Sequence, residues 1–279
     1  MSAGTYTAQK NQTLINRFTD RWKRDPVNIP MITIETQKWP VMLCGSAPFL
    51  GMNRFGFRAF DLRVKFYNHP DAMAELFTYF IDLGCKGVHI LCYENIIAAA
   101  HMAYNGESFP LMASLLPKDI PAQLNRLSPF HTVCALIPPS LTDALDESYL
   151  HSVIRDIRDA GMVPGLVTHV PGTTIPALDK MNLDVAVYLA PINIRGTYML
   201  PSKQSALKAI MHTDTPVIAD NPLAAGKISA QEGIPFVMDQ CSGFSLGVIS
   251  KEEINEAYDV LMQTTERSPL TSVSNDTMR

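Results

Sequence analysis

Apolar residues fall into short runs and helical stripes that alternate along most of the chain. Residues 157–195, IRDAGMVPGLVTHVPGTTIPALDKMNLDVAVYLAPINIR, show the unit most clearly: helix, buried strand, short helix, buried strand, with polar groups where each strand ends. Strands are predicted at 88–92, 111–116, 132–137, 164–169, 184–190, 216–220 and 244–248, with a first one at 41–44. Apolar runs at 31–34 and 41–44, separated by polar residues and Pro40, predict a hairpin leading into that first strand. Between them, helical spacing marks 69–84, 94–104, 146–160, 203–211, 230–239 and 252–262, with Gly84 and Gly161 as stop signals. Strands separated by helices eight times over predict an α/β fold: a (β/α)8 TIM barrel with an N-terminal helical arm and a β-hairpin.

The barrel is expected to occupy residues 31–265. Residues 1–30 carry mixed charges around Leu14, Ile15, Phe18 and Trp22, whose spacing suits one amphipathic helix, and residues 266–279 read as a polar tail. The arm's apolar residues suit either packing on a neighbouring copy in a homo-oligomer or folding back on the barrel. Residues 45–67 are expected to form a long functional loop, with Gly45, Gly51 and Gly56 among Arg54, Arg58, Arg63 and Lys65.

Composition narrows the partners. A net charge of −4 without a basic stripe gives no case for nucleic acid, so a small-molecule substrate is expected. The chain has no apolar run long enough for a bilayer and no secretion signal, so no membrane contact and a cytoplasmic location are expected. The five cysteines form no CxxC pair and lie mostly in apolar runs, as packed thiols do.

Parallel barrels place their chemistry where the βα loops converge, at the C-terminal strand ends. That rule selects Ser46, His89, Tyr93 with Glu94, Thr168 and His169, Asn193 and Arg195, and Asp220 with Asn221. Two imidazoles and a carboxylate can serve as general acid and base, or bind a divalent metal. His89 lies between Val88 and Ile90, so it faces either the barrel interior or the helices; only the former allows function. Asp220 ends the apolar run 216–219, where an unpartnered carboxylate would be costly. Gly226 and Lys227 after the seventh strand, and Ser250 and Lys251 after the eighth, mark loops that in barrels often hold phosphate. Ser250 and Glu253 also have the spacing of a capping box, which alone accounts for the serine. Arg54, Arg58 and Lys65 can add positive charge for an anionic substrate.

The runs AGMVPGLVTHVPGTTIPAL, DVAVYLAPIN, PVIADNPLAAGKIS and FSLGVISKEEINEAYDVL, with the opening LCGSAPFLG, resemble the aldo-keto reductase barrel in order and spacing. The resemblance implies NADP or NAD as cofactor, with Gly226, Lys227, Ser250 and Lys251 at its phosphates. That family's tetrad of tyrosine, lysine, aspartate and histidine has no recognisable counterpart here. Tyr93 stands near the tyrosine's place, His89 near the aspartate's, and Pro138 and Pro139 end the fourth strand. Asp220 stands where the family stacks a tyrosine on nicotinamide, and Val167 and Thr168 where a serine and an asparagine hold its carboxamide. Three functions follow as expectations: a divergent NAD(P)-linked oxidoreductase with Tyr93 or Tyr67 as proton donor; a cofactor-free or metal-assisted lyase, isomerase or hydrolase using His89, His169 and Asp220; or a non-catalytic barrel subunit.

Overall fold

The structure, a computed structural model, describes residues 29–104 and 109–267. The arm with Leu14, Phe18 and Trp22 and nearly all of the tail lie outside them. Strands β1 (Met31–Ile34) and β2 (Gln37–Pro40) form an antiparallel hairpin. Eight parallel strands close the barrel: β3 (Met42–Gly45), β4 (Val88–Leu91), β5 (Leu111–Ser114), β6 (Val133–Ile137), β7 (Val163–Val167), β8 (Val187–Pro191), β9 (Val217–Asp220) and β10 (Gly243–Gly247). They follow one another in chain order around the ring, and β10 pairs with β3 to shut it.

Helices α1 (Arg58–Phe66), α2 (Pro70–Asp82), α3 (Glu94–Tyr104), α4 (Ile120–Leu127), α5 (Pro139–Thr142), α6 (Glu147–Asp159), α7 (Pro171–Met181), α8 (Lys203–His212), α9 (Ala230–Gln240) and α10 (Lys251–Arg267) connect them. In α6, Leu150, Val153, Ile154 and Ile157 recur at helical spacing and are buried, while Asp146 caps the start by accepting the Tyr149 N–H. Gly161 takes the left-handed conformation after it, with φ 74°.

Alternation along the strands sorts the core in two. Met42, Cys44, Val88, Ile90, Leu111, Ala113, Val217, Ala219 and Phe244 share one apolar cluster with the helices. Leu43, Met112, Cys134, Leu136, Val167, Val187, Leu189 and Ile218 share the other, inside the barrel. Ile34 and the fully buried Trp39 join this inner cluster, so the hairpin plugs the end where the strands begin. Arg158 ties the hairpin down there, pairing with both Glu35 and Asp184.

Three local readings change. The hairpin's second arm is β2, centred on Trp39, in the stretch that reads as a polar separator, and Met42–Gly45 form the first barrel strand as expected. The expected loop at 45–67 contains α1, because Leu62 and Phe66 supply a buried face. Helix α4, which buries Ile120, Leu124 and Leu127, was not anticipated from the pattern between the third and fourth strands. Of the cysteines, Cys44, Cys85, Cys92 and Cys134 are buried and Cys241 partly so, all as free thiols. Among the described residues, no helix is long and apolar enough to cross a membrane.

Candidate functional site at the barrel mouth

The inner, mouth-facing layer is polar. His89 on β4 is flanked by Val88 and Ile90, which face the helices, so its ring points into the barrel. There its Nδ1 lies 2.7 Å from Ser245 Oγ on β10 and its Nε2 lies 2.9 Å from Ser114 Oγ on β5. Burial lowers the His89 pKa to about 4; the Asp220 carboxylate works against the shift and the Arg54 guanidinium works with it. His89 is 4% exposed and is neutral near pH 7.

Asp220 ends β9 in register with Ser245 on β10. Its Oδ2 accepts a hydrogen bond from Arg54 Nη1 at 3.2 Å. Burial alone would raise this carboxyl's pKa, but the charges of Arg54 and His89, the Arg54 hydrogen bond and the charge of His169 outweigh it and hold it below the ordinary value. Asn221 follows in the left-handed region, φ 58°, a conformation asparagine tolerates, and its Oδ1 accepts the Ala225 N–H at 2.7 Å. Its Nδ2, like Arg54 Nε, is buried without a hydrogen-bond partner.

Arg54, Asp220, Asn221 and Ser245 border a cavity of ≈ 200 Å³ between the ends of β9 and β10, lined also by Arg58 and Gly226, and His89 is outside that lining, joined to it through Ser245. The segment between β3 and α2 forms its far wall. A left-handed Gly51, φ 57°, turns that segment so closely that a Cβ there would lie 2.3 Å from the Ala59 carbonyl oxygen. Three cations of the segment then reach the end of β9 and the stretch after β10: Arg54 to Asp220, Arg58 Nη2 to Glu253 Oε1 at 3.7 Å, and Lys65 Nζ to the Ile249 carbonyl at 2.8 Å.

The remaining candidates are spread around the mouth. Ser46 is buried, and its Oγ accepts the Leu91 N–H at 2.9 Å, which joins β3 to β4. Tyr93 is exposed after β4. The exposed His169 lies close enough for its charge to act on Asp220. Asn193 is buried with both amide atoms bonded to the Thr197 backbone, and Arg195 is exposed. Gly226 borders the cavity; Lys227 is exposed outside its lining. Ser250 Oγ accepts the Glu253 N–H at 3.3 Å, as a helix cap does, and Lys251 pairs with Glu75 on α2.

Three structural contributors were not among the expected ones. Ser114 and Ser245 hold His89, and Asp143 accepts from Thr168 Oγ1, the His169 N–H and Thr174 Oγ1, which fixes the loop after β7. Ser245 had a readable signal, since a hydroxyl between Phe244 and Leu246 repeats the pattern of His89 between Val88 and Ile90. Among the described residues, no group of three or more His, Cys, Asp or Glu is placed to hold a metal ion.

No protein-family model and no curated protein matches the chain. Solved structures do. An aldo-keto reductase from Brucella melitensis aligns with TM-score 0.60 and 12% identity, over 84% of this chain and 93% of its own. An aldo-keto reductase enzyme, MGS-M4, from a Medee basin deep-sea metagenome library aligns with TM-score 0.59 and 11% identity, over 89% of this chain and 100% of its own. With the closed parallel barrel, these likenesses show that the chain has the aldo-keto reductase-like (β/α)8 fold, in a divergent sequence.

Proposed function

We infer that the chain is an enzyme acting on a small anionic molecule in the cleft between β9 and β10, with Asp220 and His89 as its proton-handling groups. The observation that carries this reading is the pair of buried, partnerless donors, Arg54 Nε and Asn221 Nδ2, on residues that line the cavity. Unsatisfied buried donors are rare in native folds, and an anionic ligand would satisfy them. Arg58 adds a second guanidinium to the same wall. An ionised Asp220 and a neutral His89 are both unprotonated near pH 7, so each is able to accept a proton. This fits a lyase, isomerase or hydrolase that needs no nicotinamide.

The residues present do not fit a nicotinamide dinucleotide as the loops stand. The amides of Ala224, Ala225, Gly226, Lys227 and Ile228 are all bonded within their own loop, to Asn221 or Leu223. The Ile249 amide is taken by Glu253 Oε2 at 3.1 Å, and Lys251 is engaged with Glu75. Asp220 would bring negative charge to the ring's place. No step is therefore assigned to that group. The likeness in fold supports a second reading: an NAD(P)-linked oxidoreductase with Tyr93 or Tyr67 as proton donor, which requires the loops after β9 and β10 to release the contacts just described.

One set of titrations tests both. Inorganic phosphate, small dicarboxylates and NADPH are each titrated against the full-length protein while its unfolding midpoint is followed. Small anions are expected to stabilise it, by about 2.7 kcal/mol at a hundredfold excess over Kd, with the effect lost in Arg54→Ala. Stabilisation by NADPH alone would favour the second reading. No response to any of the three would sink both.

A further inference from the structure

Of the two serines lining this cavity, Ser229 caps α9, and Ser245 is left unused by acid–base chemistry of Asp220 and His89. It lines the cavity, and its Oγ lies 2.7 Å from His89 Nδ1. A neutral imidazole has one N–H and one lone pair. In the tautomer whose Nε2–H donates to Ser114 Oγ, 2.9 Å away, Nδ1 is left to accept the Ser245 hydroxyl proton, and this is the tautomer the chemistry needs. That arrangement has a hydroxyl, a base within hydrogen-bond reach, and a third group orienting the base. Asp220, level with Ser245 in the sheet, supplies the negative charge that an imidazolium needs nearby. The partnerless Asn221 Nδ2 belongs to a residue of the same cavity, where a donor is required if negative charge develops on an oxygen. Close packing also fixes the serine: a Cβ added to Gly45 would come within 2.6 Å of Ser245 Oγ.

We propose that Ser245 is the nucleophile, and His89 its general base, in the hydrolysis of a small carboxylic ester that carries an anionic group. Ser245 Oγ bonds to the acyl carbon as its proton passes to His89 Nδ1. The bond from that carbon to the alcohol oxygen then breaks, and His89 returns the proton to the departing alkoxide. Water next adds to the acyl-serine and gives a proton to Nδ1. The Ser245 ester bond breaks, Oγ takes that proton back, and the carboxylic acid leaves. Arg54 and Arg58 hold the substrate's anionic group. The assignment rests on the cavity being the substrate site, the reading given above.

The test is covalent capture of the full-length protein with a fluorophosphonate probe near pH 7.5, read by peptide mass spectrometry. The expected result is one adduct, on Ser245, absent in Ser245→Ala and formed roughly 100-fold more slowly in His89→Gln, the scale of a lost general base. Cooperative unfolding of each variant checks its fold, and Ser114→Ala, which removes only the orienting hydroxyl, replaces His89→Gln if that variant does not fold. No adduct on Ser245 in the wild-type protein, or one whose rate ignores both His89→Gln and Ser114→Ala, would overturn the proposal. If anions still bind while Ser245 stays unmodified, the nucleophile is wrong and the substrate site stands; if neither is seen, both fall.

Discussion

Acidification should destabilise this protein through His89. In the unfolded chain an imidazole takes up its proton near pH 6.5, whereas the buried His89 stays neutral until about pH 4. Between those values the unfolded state binds more protons, so stability rises with pH and is lost as pH falls. The shift corresponds to about 3 kcal/mol in full at 1.36 kcal/mol per pH unit, of which about 2 kcal/mol is reached by pH 4.5. Asp220 works in a separate window: its pKa is lowered on folding, so its stabilisation is present above the ordinary carboxyl value of 3.8 and disappears only below it. Urea unfolding of the wild-type protein and His89→Gln at pH 7, 6, 5 and 4.5 isolates the imidazole, because every other titrating group is common to both. Glutamine keeps a hydrogen-bonding side chain between Ser114 and Ser245 without a proton to gain. The wild-type curve is expected to fall more steeply, by about 2 kcal/mol over this range. Parallel curves would show that His89 titrates alike in both states, and the buried, neutral imidazole would have to be abandoned.

Two further substitutions probe the scaffold under the site. Trp39→Ala should lower unfolding stability by about 3–5 kcal/mol, since the indole is fully buried in the inner cluster and its loss opens a cavity at the closed end; a change below about 1 kcal/mol in denaturant unfolding would contradict the hairpin's role as a plug. Gly51→Ala should cost about 1–3 kcal/mol, because the residue is left-handed and the new Cβ would meet the Ala59 carbonyl. It should also weaken anion binding by moving Arg54, and an unchanged affinity on titration would separate that turn from the site.

The barrel was legible because strand parity and helical spacing are local properties that recur eight times. The same parity held for single residues: Val88 and Ile90 facing the helices leave His89 no direction but inward. Asp220 at the end of an apolar run found the partner its burial requires, but nothing in the sequence named Arg54 as that partner, 166 residues away. Such pairing depends on how α1 folds back, and α1 reads as loop because Arg58, Arg63 and Lys65 obscure its narrow apolar face of Leu62 and Phe66. The loops after β9 and β10 read as phosphate cradles from their glycine and serine content. Which way the amides after β9 point is set by left-handed turns at Ala224 and Ala225 that composition does not encode.

The contacts from the first βα segment to the end of β9 and the stretch after β10 join positions 166 and 184 residues apart, across the seam where β10 meets β3. The site is therefore a clasp on a ring and is absent from any open form of it. On the proposed reading, the nascent chain has no binding place until β10 has emerged and docked. Fragments cut before that strand should be inert singly and regain binding only on reassociation. A ligand held between Arg54 and the β9 loop would, by the same geometry, keep the ring from springing open.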